Sequence, residues 1–501
     1  MSSSGVTGPF WGGTHARHAG RYPLSVERHA ISQVARLLPG VTTVTPHARY
    51  YTLHAVVADE TQRQGLVAAE AQSLLRRAEV VLAGITLTHG SHPGMPAPHG
   101  GDAIRAAMTT GSLDVAALSQ PGRYVQAQWG FLGPYLGSEG LLGLTHRTGS
   151  TIAPGSDIDL SAAHTAMAPV LALAREDVVS LESLASHPEC CLCGCADAAD
   201  GELLRHLLVP AQSDPQSNGG RRAATIRLLL RLMQQHELRS ITREGSPILA
   251  YDPAFRDDPI AARLDITDAW RGLVLRNQSV TAWRDLWAEL VNSIGGLTSI
   301  SDLADTLADA LPAGSVRSYL DALPAVGDGD SLLPAEVDPT LLDRGVLDRC
   351  LALLLIGGTR VGSLSARVAA YFEDPSELVQ ELSPTWVSGR INDWANRPTR
   401  DFARWLVEVL VARSQRIALL KATFSPKRGT FQVPTRVFVR DGFVFRDSRE
   451  GGGGVSLRWD QLTTVLAGAG LCHLHQLNDG TAHQPDASVW RPTARGEALL
   501  A

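Results

Sequence analysis

"VERHAISQVARLLPGVTTVTPHARYYTLHAVVADE" (Val26–Glu60) decides how this chain is read. Apolar residues recur at helical spacing on both sides of Leu38-Pro39-Gly40-Val41. The stretch therefore predicts one helix over Val26–Leu38, a turn, and a second helix over Ala48–Val57. Thr45 followed by Pro46 predicts the second helix start, with a hydroxyl N-cap and a proline at the first helical position. His47, Tyr51 and His54 then share one face, and Arg49 falls in the first turn. Backbone N–H groups at that start, with the hydroxyls of Thr42, Thr43 and Thr45, make an anion site for which phosphate is the commonest ligand. In that reading Arg49 holds phosphate and Tyr50 or Tyr51 stacks a base. The competing reading is a capped helix whose tyrosines and histidines are packing groups.

Working outward, the 501 residues suffice for two to four domains, and 44% hydrophobic with 19% charged residues is ordinary globular composition. The net charge of −6 rules out a polybasic chain, so local charge must carry any nucleic-acid argument. Only Lys421 and Lys427 are lysines. No Gly-Lys-Ser/Thr phosphate loop exists, and lysine-dependent Schiff-base chemistry becomes improbable. The start, "MSSSGVTGPFWGG", lacks a basic and apolar leader, and no apolar run reaches the length of a membrane span. The expectation is a cytoplasmic protein without membrane contact.

Composition divides the chain into three segments. Residues 1–215 hold most of the histidines and several helical periods, including Leu66–Leu82. Residues 216–380 are helical and acidic: Asp302–Asp348 carries ten acidic residues against two arginines. Such a face repels nucleic acid and suits a basic partner or a basic domain. Residues 381–501 are basic, with 13 Lys/Arg against five Asp/Glu over Thr385–Arg449. Lys427 and Arg428 are candidate nucleic-acid contacts there. "RVFVRDGFVFRDS" (Arg436–Ser448) alternates about Asp441-Gly442 and predicts a hairpin. The fold class expected is mainly α, α+β overall, with multi-helical N-terminal and middle regions and a basic C-terminal domain. The closing "VWRPTARGEALL" resembles the end of a winged-helix domain, with Pro492 in a leucine position.

Chemistry-bearing residues lie elsewhere too. "HPECCLCGC" (His187–Cys195) has Cys-x-Cys spacings too tight for a standard zinc finger, and His206 or Cys350 would have to complete a set. Buried thiols at a turn are the favoured reading, so no metal and no cofactor are assigned. "WGFLGPYLGSEGLLGL" (Trp129–Leu144) has glycines spaced for close approach of a backbone or ligand, or for tight helix packing. Asp157 and Asp159, after Pro154-Gly155, are catalytic candidates that equally suit helix capping.

Three resemblances bear on function. The Val26–Glu60 unit resembles a helix-hairpin-helix, in which Leu-Pro-Gly-Val-Gly turns amides toward a DNA phosphate; here Thr42 replaces the last glycine. In glycosylases with this hairpin a catalytic aspartate lies some way beyond it, which implies Asp59, with Glu60 beside it; the plain alternative is an acidic helix end in solvent. "PGVTTVTPHARYY" is similar to the Pro-Gly-x-Thr-Thr-x-Thr-x-x-Ala-Arg-Tyr pattern of a bacterial family found near phage-defence genes, and "ECCLCG" with "ELLRHLL" looks like that family's Cys-Leu-Cys segment. The likeness covers mainly 20–60 and 150–230. It implies antiviral defence and, through the Brig-type glycosylases, excision of glucosylated cytosine from phage DNA. With lysine so scarce, the expected enzyme is a monofunctional DNA glycosylase, and elimination of lysine, metal and Ser-His-Asp chemistry leaves a carboxylate, Asp59 first and Asp157 or Asp159 behind it. The alternative is a non-enzymatic DNA-binding sensor or a scaffold subunit.

Overall fold

The computed structural model describes residues 22–90, 94–108, 111–329, 331–373, 381–426, 429–476 and 488–501. Lys427, Arg428 and the N-terminal 1–21 lie outside these residues. Helices dominate and the sheets are small, two- or three-stranded, so the protein is mainly α with an α+β character. No helix among the described residues is long and apolar enough to cross a membrane.

The chain divides into two compact units. The first comprises Val34–Ile248, Ala254–Thr267 and Ser456–Ala501. Its centre is helix Ala48–Gln64, buried on every side from Ala48 to Ala58. A helix covered all round belongs to a core rather than to a surface face. Helix Ala68–His89 packs beside it, again buried through its middle from Ala78 to Thr86. Helices Leu132–Leu142, Ser161–Leu173 and Ala199–Leu208 surround this pair, and a hairpin pairs Thr145–Thr148 with Thr151–Pro154.

The second unit comprises residues up to Gln33, Leu249–Pro253 and Asp268–Val455. Its long helices include Val346–Arg360 and Thr399–Leu420. The expected hairpin forms: Val437–Arg440 pairs with Phe443–Arg446, and Asp441 and Gly442 take the positive φ values of 50° and 80° that a two-residue turn of this kind requires. Phe443–Arg446 also pairs with Thr298–Ser299 and is the central strand of the three.

The 381–501 segment is not one body. Its hairpin completes the sheet just described, whereas Cys472–Gln476 pairs with Ser488–Pro492 in the other unit, where the Trp490 N–H donates to the Leu238 carbonyl. Helix Trp459–Gly468, that strand pair and helix Ala494–Ala498 give a helix–strand–strand–helix order. This order does not by itself define a winged-helix domain. The basic stretch is also partly neutralised within its own unit. Arg400 pairs with Asp309, and Arg404 with Asp305 at 2.6 Å, so the acidic helix Ile300–Asp309 lies against the basic helix Thr399–Leu420. Arg413 and Arg416 both reach Glu381. Arg400, Arg404, Arg413 and Arg416 of the basic stretch are therefore paired within this unit.

Candidate functional site

The motif at Pro39–Tyr51 is interior structure for most of its length. Helix Ala48–Gln64 starts where the apolar spacing puts it and two residues beyond Pro46, where the Thr45-Pro46 cue puts it: His47 is the N-cap, without a side-chain cap, and Thr45 closes the preceding loop instead. The Thr45 hydroxyl oxygen accepts from the Thr42 backbone N–H at 3.0 Å. Only Thr43 of the three threonines is exposed; Thr42 is half-buried and Thr45 buried. Tyr50 and Tyr51 are buried in an aromatic cluster with Tyr135 and His99. The Tyr51 hydroxyl donates to the Gly40 carbonyl at 3.1 Å and so fastens the turn to the helix. Neither ring is placed to stack a base.

Arg49 is 1% exposed. It donates through Nε and Nη2 to both carboxylate oxygens of Asp200 at 3.0 Å, and through Nη1 to the carbonyls of Glu189 and Cys191. Thr52 adds a hydroxyl donor to Asp200. The expected phosphate ligand is thus a bidentate internal staple, which carboxylate and guanidinium geometry favours. Arg49 also joins the threonine motif to the Cys-Leu-Cys segment. A Cβ at Gly194 would meet the Glu189 carbonyl oxygen at 2.3 Å and Arg49 Nη1 at 3.1 Å, so this close approach requires glycine.

A second polar network lies deeper. His54 Nδ1 meets Glu139 Oε1 at 2.6 Å and Nε2 meets Glu79 Oε1 at 3.0 Å, with all three side chains fully buried. Burial works against the imidazolium, but the Glu139 and Glu79 carboxylates outweigh it and raise His54 to about 9. Tyr124 donates to Glu79 at 2.6 Å, the Phe131 N–H donates to the same carboxylate, and Thr145 donates to Glu139. His47 and His99 sit close by, and burial lowers them to about 4 and about 3, the latter helped by the His47 and His54 charges. With no exposed member among His54, Glu79 and Glu139, this network pins helices together rather than meeting a substrate.

The accessible acid–base group lies further along the same helix. His164 Nε2 contacts Asp59 Oδ2 at 2.6 Å, and His164 Nδ1 lies 3.8 Å from Glu60. Arg63 flanks both acids and Arg175 reaches Glu60 at 3.4 Å. The Asp59, Glu60 and His164 side chains are 25%, 12% and 18% exposed, so this group borders solvent. Asp59 and Glu60 extend from helix Ala48–Gln64, and His164 from helix Ser161–Leu173. A carboxylate paired with an imidazole at hydrogen-bond distance can accept and relay a proton. His164 is the partner that sequence reasoning missed, because 105 residues separate it from Asp59.

The other two expected carboxylates serve local roles. Asp159 accepts from the Ser161 N–H at 2.9 Å at the start of helix Ser161–Leu173, and hydrogen bonds from Ser161 hold it below the usual carboxylate range. Asp157 is exposed, accepts from the Ser156 hydroxyl, and lines a cavity of about 350 Å³ with Thr145 and His146. Of the weighed metal ligands, Cys190 and Cys195 are buried, the former with its thiol toward the Ala166 carbonyl. His89, at the end of helix Ala68–His89, comes to Cys191 and Cys193 instead of His206 or Cys350. No family model, curated protein or solved structure matches the chain.

Proposed function

We propose that the chain acts on DNA in anti-phage defence as a monofunctional N-glycosylase, removing a glucosylated cytosine and leaving an abasic site. The observation that carries the chemistry is the solvent-bordering Asp59–His164 pair with Glu60 at its side. Asp59 takes a proton from the attacking water, His164 orients and shares that proton, and the carboxylate charge favours the cationic sugar of the transition state. The base leaves the duplex to reach the group. The scarcity of lysine supports a reaction that stops at the abasic site, without strand cleavage. The choice of DNA rests on the sequence resemblance, since Arg49, Tyr50 and Tyr51 are removed from direct contact by burial.

That burial, with the Arg400 and Arg404 ion pairs, favours a second reading, a scaffold subunit, beside which a non-enzymatic DNA-binding sensor stands as the third. Incubating the purified protein with glucosylated phage DNA distinguishes the readings. Abasic-site formation supports the glycosylase, retention of DNA without base release supports a sensor, and neither supports a scaffold.

A further inference from the structure

We propose that His89, Cys191 and Cys193 bind a zinc ion. Their ligand atoms, one imidazole nitrogen and two sulfurs, all lie within 4.8 Å of one another. The Cys193 Sγ to His89 Nδ1 distance is 3.5 Å. With Zn–S near 2.3 Å and Zn–N near 2.0–2.1 Å, a tetrahedral site places such ligand atoms about 3.5–3.8 Å apart. The pair already stands at that spacing. A sulfur-rich set with one imidazole selects zinc over the harder magnesium and calcium.

The site is prepared by its surroundings. The Leu192 N–H donates to the Thr86 hydroxyl at 3.3 Å, which ties the loop between the two cysteines to the helix that ends in His89. Arg49 holds the Cys191 carbonyl from the other side. Such outer contacts fix ligand orientation in metal sites. Cys193 is half-buried and His89 exposed, so an ion can reach them from solvent. Three protein ligands leave a fourth position for water. Thr86, Leu87, Gly90 and Leu192, which flank the ligands in sequence, line a cavity of about 250 Å³ with Arg105. On binding, the two thiols release their protons, and the two thiolates balance the charge of the ion. The inference stands apart from the DNA reading, because none of these residues belongs to the Asp59–His164 group.

The test uses the full-length protein purified under reducing conditions, depleted of metal and titrated with Zn²⁺ or Co²⁺. One equivalent of zinc should bind. Cobalt should give thiolate charge-transfer absorption and the intense visible bands of tetrahedral coordination. H89A and C193S, at accessible positions, should each weaken binding by at least about ten-fold. H187A, in the same cysteine-rich stretch, should bind as the parent does. Absence of stoichiometric zinc and of the cobalt bands would overturn the proposal and leave a thiol–imidazole hydrogen bond. Unchanged affinity in both H89A and C193S would overturn it equally, by placing the ligands elsewhere.

Discussion

Arg49 illustrates how one side chain changes meaning between sequence and structure. An arginine in the first turn of a helix, among threonines and tyrosines, reads as an anion ligand, because nothing nearby in sequence neutralises it. Its partner Asp200 lies 151 residues away, and that separation hides the burial. The pair is 1% and 0% exposed. R49A leaves a buried carboxylate without its cation and should cost about 3–5 kcal/mol of stability. Thermal or denaturant unfolding checks this, and a variant with parental stability would restore Arg49 to the surface role first expected. The histidines give a second residue-scale prediction. His54 titrates higher in the fold than in the open chain, so its stabilisation is complete below about pH 6.5 and lost as pH rises toward 9. His47 and His99 titrate lower, so the stability they confer is complete above about pH 6.5 and lost as pH falls toward 4. Melting temperature should therefore peak near neutrality, and H54Q should flatten the alkaline limb. A parent protein with equal melting temperatures at pH 4.5 and pH 6.5 would contradict the neutral His47 and His99.

At the scale of elements, periodicity was a good guide to where helices lie, and the capping cue a poor guide to where one of them begins. Val26–Leu38 and Leu66–Leu82 correspond to helices Arg28–Leu37 and Ala68–His89. Thr45-Pro46 misled because the Thr45 hydroxyl is used within the turn, leaving His47 as the uncapped boundary. The Asp441-Gly442 hairpin was legible because its turn chemistry is local. The glycine-rich stretch was half legible: its spacing marked close approach but not which glycine makes it. Gly130, at φ 51°, has the Glu79 carboxylate 2.3 Å from where a Cβ would stand, whereas nothing lies within 4 Å at Gly137 inside helix Leu132–Leu142. G130A should cost about 1–3 kcal/mol through backbone strain and a displaced Glu79. G137A should instead stabilise by about 0.5–1 kcal/mol, because alanine loses less freedom on entering a helix. Chemical denaturation of the two variants checks the contrast, and equal effects would deny Gly130 its particular role.

For the whole molecule, one compact unit gathers the threonine motif, the cysteine run, the His54 network and the Asp59–His164 group around helix Ala48–Gln64. Asp59 was visible in the sequence as one of an acidic pair ending a helix. What made it distinctive was not visible, since His164 and Arg175 arrive through the fold. The acidic and basic stretches were also visible, and a basic domain was among the partners expected for the acidic face, but the particular pairs across helices Ile300–Asp309 and Thr399–Leu420 come from the fold. The function proposed here therefore depends on the Asp59–His164 group more than on any basic surface. The most direct measurement is the rate of abasic-site formation on glucosylated phage DNA by the parent, D59N and H164Q proteins, each verified as folded by its melting curve. The parent should release base, D59N should lose about 10²–10⁴-fold in rate as expected for removal of a general base, and H164Q should fall between them. Full activity in both variants would place the chemistry elsewhere, and absence of base release by the parent would remove the glycosylase reading altogether.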